Sequence, residues 1–272
     1  MHGDYLVFAI LFIFGAIIGS FLNVVILRFG TGMPIATGRS KCFSCGKTLS
    51  WYELVPILSF VVQWGKCRSC GARLSVQYPI VELAGAVALP LAYVSTTVVS
   101  GLTQSLILFA LLAVLLFIYI VIFVYDLRHK LIPDAFSYTA ALVALAMIAV
   151  KGWASGFIDL YAVIAGPTFF LFFFAFWYFS QGRWMGLGDG KLALSVGWAL
   201  GIGAGTAALL FAFWIGAIVA LLIMVLQRTG VFKGPALGLR SELPFGPFIV
   251  IGFVLSLAAP SLFPYLMSLL AV

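Results

Sequence analysis

Eight long apolar runs leave this chain few ways to fold; they lie near residues 5–27, 79–99, 105–125, 134–151, 157–180, 190–203, 205–227 and 246–270. About 20 consecutive apolar residues are what crosses a bilayer core. Only 8% of the 272 residues are charged, against roughly 25% in soluble domains, too few to cover a water-facing surface. The reading is an all-α polytopic membrane protein with about eight transmembrane helices. The run at 190–203 is short and carries Gly197, Gly201 and Gly203, so it reads either as a span or as a tilted, half-buried segment. No lysine or arginine precedes the first apolar run. It therefore lacks the basic start of a cleavable signal peptide and reads as a retained first span.

The one long polar stretch, 28–78, reads as a small extramembrane domain, and a second polar loop covers 228–245. With eight spans, one side of the membrane receives 28–78, 126–133, 181–189 and 228–245. Fourteen of the 15 basic residues fall in those segments or their flanks, and Lys151 alone falls on the other side. Basic residues concentrate on the cytoplasmic side of membrane proteins. The expectation is that these four loops face the cytoplasm and both termini lie outside. The net charge of +7 is then a product of topology and of attraction to anionic membrane lipid. No nucleic-acid partner is needed to explain it.

All four cysteines lie in the polar stretch, as Cys42-x-x-Cys45 and Cys67-x-x-Cys70, each pair followed by a glycine, Gly46 or Gly71. Glycine permits the tight turn of a metal knuckle. Four thiolates suit tetrahedral zinc, and a closed four-ligand site is structural. The spacing between the pairs is slightly longer than in common zinc ribbons. Two disulfides or four idle thiols are the other readings of the same residues. Lys41, Lys47, Lys66, Arg68 and Arg73 surround the cluster; they read as a solvated basic face or a lipid-docking one.

Most acidic residues have ordinary explanations. Asp4 and Asp159 lie at outer span ends, Glu82 at a span start where snorkelling or an ion pair would satisfy it, and Asp134 beside Pro133 reads as a helix N-cap. Asp126 and Asp189 differ: the topology puts both on one face at similar depth. Ionisable groups at a bilayer edge are functional candidates. Two carboxylates sharing a site cannot both ionise cheaply. One then polarises a peptide carbonyl as an acid while the other activates water. Capping, or pairing with Arg128 or Lys191, is the competing account of each aspartate. The glycines Gly186, Gly188 and Gly190 are expected to let the backbone leave helical geometry near Asp189. His129 has no companions that would make a metal site, and no role is assigned to it.

Five stretches in order carry a resemblance: Gly19-Ser20-Phe21-Leu22-Asn23-Val24-Val25; the double Cys-x-x-Cys loop, with Ser50-Trp51-Tyr52-Glu53-Leu54-Val55-Pro56-Ile57-Leu58-Ser59 between its pairs; Tyr78-Pro79-Ile80-Val81-Glu82; Asp126 to Asp134; and Gly186-Leu187-Gly188-Asp189. Together they resemble the bacterial type IV prepilin peptidases, bifunctional leader peptidases and N-methyltransferases. The resemblance implies that Asp126 and Asp189 are the pair of a GxGD-type aspartyl protease, with Gly186, Gly188 and Lys191 in support. It implies prepilin or pseudopilin substrates with a short basic leader, cut after a glycine at the cytoplasmic face of the inner membrane. It further implies methylation of the new N-terminal residue, usually phenylalanine, from S-adenosylmethionine. Residues 1–104 would form a methylase-associated region, with Glu53 and Tyr78 its supporting residues, and 105–272 the peptidase region.

Two departures matter. Many members carry a second aspartate two positions after the first, where this chain has Arg128; that singles out Asp126. The family's Asp-Asn-Ile-Pro reads Glu53-Leu54-Val55-Pro56 here, which keeps the acid and loses the amide. Competing readings are a peptidase without methyl transfer, an ion-coupled transporter with both aspartates as cation sites, and a zinc-stabilised scaffold. A transporter would show internal repeats and mid-span polar sites, and neither is visible.

Overall fold

The computed structural model of the chain describes residues 2–96, 101–229, 243–263 and 265. Lys233, Arg240 and Glu242 of the second polar loop, and most of the last run beyond 263, lie outside the described residues. Those residues form eight α-helices, one 3₁₀ turn and two isolated β-bridges. They cluster into two compact units, Met1–Thr97 and Val98–Val272. Six helices are long and apolar enough to cross a membrane.

In the first unit, α1 (His2–Arg28) packs along α3 (Gln77–Thr96), with the short α2 (Leu58–Val62) in the polar stretch between them. Apolar side chains gain little from each other's company in lipid, so close backbone approach between small residues has to hold such a pair. Gly15 and Gly19 of α1 meet Gly85 of α3. A Cβ on Gly85 would lie 2.6 Å from the Gly15 carbonyl oxygen, one on Gly19 2.8 Å from that of Val81, and one on Gly15 would run into the Gly85 carbonyl. Gly85→Val is therefore expected to force α1 and α3 apart and cost about 3 kcal/mol or more, read as a lowered melting temperature in detergent.

The second unit starts with α4 (Leu102–His129), which ends on Lys130 in the left-handed conformation, its N–H donating to the Asp126 carbonyl at 2.8 Å. Pro133 then caps α5 (Asp134–Ser155). Asp134 is thus the first helical residue, one position inside the cap that the sequence suggested. Asp159 does cap α6 (Leu160–Ser180), accepting from the Tyr161 N–H at 2.9 Å. The sixth and seventh apolar runs join in α7 (Leu187–Arg228), 42 residues long. At 1.5 Å per residue a continuous helix of that length would be about 63 Å, twice the roughly 30 Å hydrocarbon core. Gly201, at φ 77° and ψ −176°, interrupts it, so the two runs keep separate helical axes within one stretch. Lys151 of α5 donates to the Ala199 carbonyl at 3.2 Å, just before the break, where a cation also complements the helix dipole. The last element, α8 (Gly246–Ala258), packs on α7 and α4. There Gly252 sits so close to the Ala208 carbonyl that no side chain fits.

Candidate active site

Asp126 lies in the last turn of α4 and Asp189 in the first turn of α7. Both are buried, with 4% and 8% of their surface exposed. Gly188, beside Asp189, and Gly246, whose N–H meets Asp126, both close on Ile132, so the structure brings the two aspartates to one part of the unit across 63 residues of sequence. Asp189 is the third residue of α7, and its own N–H donates to the carbonyl of the N-cap Gly186 at 3.3 Å. Asp126 Oδ2 accepts from the Gly246 N–H at 3.1 Å.

Ile132, in the short link after α4, is buried between the two sides of the site. A Cβ on Gly188 would lie 3.1 Å from the Ile132 Cβ, and one on Gly246 would lie 2.9 Å from its Cδ1. On Gly190 a Cβ would be 3.3 Å from the Phe173 Cβ. Gly188 and Gly190 are thus needed for close approach. The expectation that they release the backbone from helical geometry is not met: both are helical, and only Gly186, the N-cap at φ −77° and ψ 148°, is extended.

Lys191 does not pair with either catalytic candidate. Its Nζ donates to Asp134 Oδ1 at 2.6 Å and lies 5.1 Å from the centre of the Tyr138 ring, tying α7 to α5. Deeper in the unit Tyr119 of α4 and Ser195 of α7 share a buried hydrogen bond of 2.8 Å.

In the first unit the four cysteine sulfurs lie within 4.8 Å of one another, Cys42 to Cys70 at 3.9 Å, and no disulfide joins them. Sulfurs of a tetrahedral site with 2.3 Å bonds stand about 3.8 Å apart, so the cluster has the size to hold a metal ion. The two halves are built alike. Cys42 N–H donates to the Lys47 carbonyl and Gly46 N–H to that of Cys42; Cys67 and Gly71 repeat the pattern with Ala72 and Cys67. Gly46 and Gly71 adopt φ of 72° and 70°, the conformation expected of them. The Cys45 and Ser44 backbone N–H groups bring the Cys42 thiol down to about 6. For Cys70 the Ala72 N–H pulls the same way, but burial and the neighbouring thiols win and push it up to about 11. A cation at the centre would reverse that mutual opposition.

Glu53 is buried beside this cluster. Its Oε2 accepts from the Ser50 N–H at 2.9 Å, and Lys47 Nζ lies 3.6 Å from Oε1. The Ser50 N–H, assisted by Lys47, holds the carboxyl below the ordinary glutamate value despite burial. Glu82 neither snorkels nor forms an ion pair among the described residues. It is buried and accepts from the Ile57 N–H at 2.6 Å. That bond steadies a strained turn, because Ile57 has φ 61° and ψ −53°, rare for a β-branched residue. Asn23 is buried too, donating to the Tyr78 carbonyl at 3.2 Å and accepting from Gln77 at 3.1 Å. These contacts place Tyr78 by its backbone.

Residues 13–96 match the family model for the bacterial peptidase A24 N-terminal domain, and residues 113–221 match that for the type IV leader peptidase family. A prepilin leader peptidase/N-methyltransferase of Bacillus subtilis is 34% identical over 91% of this chain and 92% of its own length. The chain belongs to the type IV leader peptidase family. An enzyme of the same description from Vibrio cholerae is 31% identical, over 92% of this chain and 96% of its own. The type 4 prepilin-like proteins leader peptide-processing enzyme of Escherichia coli is also 31% identical, over 92% and 93%. No solved structure matches the chain significantly. Membership makes this a membrane peptidase of a family in which the Bacillus subtilis and Vibrio cholerae relatives are also named N-methyltransferases. The residue the sequence did not flag in this peptidase is Gly246. It stands 120 positions from Asp126 and carries no side chain whose chemistry could announce it.

Proposed function

We propose that this enzyme removes the short basic leader from type IV prepilins or pseudopilins, cutting after a glycine at the cytoplasmic face of the inner membrane, and then methylates the new N-terminus. The observation that carries the peptidase half is the burial of Asp126 and Asp189 together at helix ends. In a site this dry, two negative charges side by side are costly, so the pair holds one proton between them. The protonated carboxyl donates to the scissile carbonyl oxygen. Its ionised partner takes a proton from water, whose oxygen attacks the carbonyl carbon. Return of a proton to the leaving amine completes cleavage, and no side-chain nucleophile is required. The basic leader would stay on the side of the chain that carries the basic loops.

For the second reaction, S-adenosylmethionine would supply the methyl group, and residues 1–104 would serve it while 105–272 serve proteolysis. Glu53 Oε1 is the one buried side-chain oxygen without a hydrogen bond among the described residues, and the Lys47 ammonium stands 3.6 Å from it. This supports Glu53 as the group that would receive an amine, with Tyr78 at the adjoining start of α3. Zinc at the four cysteines would hold the loop in shape. The test is purified enzyme in lipid vesicles with a prepilin and labelled S-adenosylmethionine. The expected product is a shortened pilin carrying one label at its N-terminus. A shortened, unlabelled product would remove the methyl-transfer half, and an uncut one would remove the whole reading.

A further inference from the structure

Helix α8 begins beside Asp126, and its first N–H groups can be accounted for one by one. A helix leaves its first four N–H groups without intrahelical partners. In α8, Gly246 is the first residue and donates to Asp126 Oδ2; Pro247 has no N–H; Phe248 and Ile249 return to the Phe245 carbonyl at 3.0 and 3.2 Å. The Asp126 carboxylate is thus the partner of the N–H of the first helical residue. It also sits where the positive end of the helix dipole is felt.

The placement of that donor is fixed from the other side. Phe245 packs on Phe213 of α7 at 4.9 Å and on Phe173 of α6 at 6.2 Å between ring centres. Phe173, fully buried, is the same residue that Gly190 approaches next to Asp189. One aromatic anchor therefore registers both the segment that holds Asp126 and the turn that carries Asp189. Position 246 must also be glycine for this to work, since a Cβ there would lie 2.7 Å from Asp126 Oδ2, well inside contact distance.

We propose that Gly246 is a positioning residue of the peptidase: its backbone N–H fixes one oxygen of Asp126 and leaves the other for the attacking water. This rests on Asp126 being catalytic, as proposed above. Positioning of this kind acts on the chemical step and not on substrate affinity. Misplacement by about 1 Å costs on the order of 100-fold in rate, and such a loss appears in kcat with KM unchanged.

The deciding variant replaces the 246 amide by an ester, with glycolic acid introduced at that position of the full chain. It removes the N–H and adds no Cβ, so the packing of α8 is kept. Prepilin cleavage in lipid vesicles is expected to lose about 100-fold in kcat, with KM unchanged. The inference is overturned by an ester variant whose kcat stays within about 10-fold of the unmodified chain, or whose loss lies in KM. A second variant, Gly246→Ala combined with Ile132→Val, removes the methyl that crowds the added Cβ. It is expected to stay impaired because the contact with Asp126 remains. Recovery of normal kcat in that pair would assign the effect to packing on Ile132 and overturn the inference. If the unmodified chain does not cut prepilin in the same assay, the proposed function falls instead, and the two failures are separate.

Discussion

Asp126→Asn and Asp189→Asn are each expected to reduce prepilin cleavage by about 10²–10⁴-fold, the contribution of one acid or base in the transition state. Asparagine keeps the size of the side chain but can neither accept water's proton nor give one up. At position 126 it can still present an oxygen to the Gly246 N–H, so the fold should survive and the melting temperature should move little. Because the two act as one unit, the double variant is expected to be little worse than either single one. Methylation of a pilin supplied already cut should persist in all three. The measurement is the rate of leader release from a prepilin in lipid vesicles. A single variant that still cuts at the normal rate ends the account of a paired-aspartate mechanism.

The second large effect concerns the four cysteines. A structural zinc in a small module is worth on the order of 10 kcal/mol at neutral pH. Around this cluster Cys42 and Cys67 are buried, whereas Phe43, Trp51 and Trp64 are exposed, so little apolar packing could replace the metal. The purified chain is expected to carry one zinc per molecule. Stripping it with a chelator, or substituting Cys42→Ser, should open the loop to trypsin at Lys41, Lys47, Lys66, Arg68 and Arg73. Methyl transfer should fall with it, since Glu53 is held by Ser50 and Lys47 of the same loop. Chain purified under reducing conditions with no metal and four freely titrating thiols would show that zinc has no part in it.

The features legible in the sequence are those written in local spacing or in reactive side chains. The apolar runs, the two Cys-x-x-Cys pairs with their glycines and the two aspartates are of this kind. The features that were not legible arise from packing between distant segments. Lys191 looked like a neighbour of Asp189 along the chain, yet two positions along a helix are a rotation of about 200°, which takes it to Asp134 of α5. Glu82 looked like a surface acid at a span start, but its partner is a backbone N–H in the polar stretch, 25 residues away. Gly188 and Gly190 advertised flexibility and deliver contact distance instead. Gly246 contributes only a backbone N–H, which every residue except proline also has.

The break in α7 has a practical consequence for probing this molecule. Gly203 has no atom close enough to obstruct an added side chain, and Gly201 is equally open in space although its φ of 77° keeps that position itself to glycine. Both flank Ile202, which is 40% exposed. The positive-φ, extended backbone at Gly201 already interrupts the helix, and the core contacts of α7 lie to either side. A short epitope or a cysteine label spliced between 201 and 203 would therefore meet no packing to disrupt. Membrane-impermeant reagents could then report, in intact cells, which compartment that corner of the fold occupies.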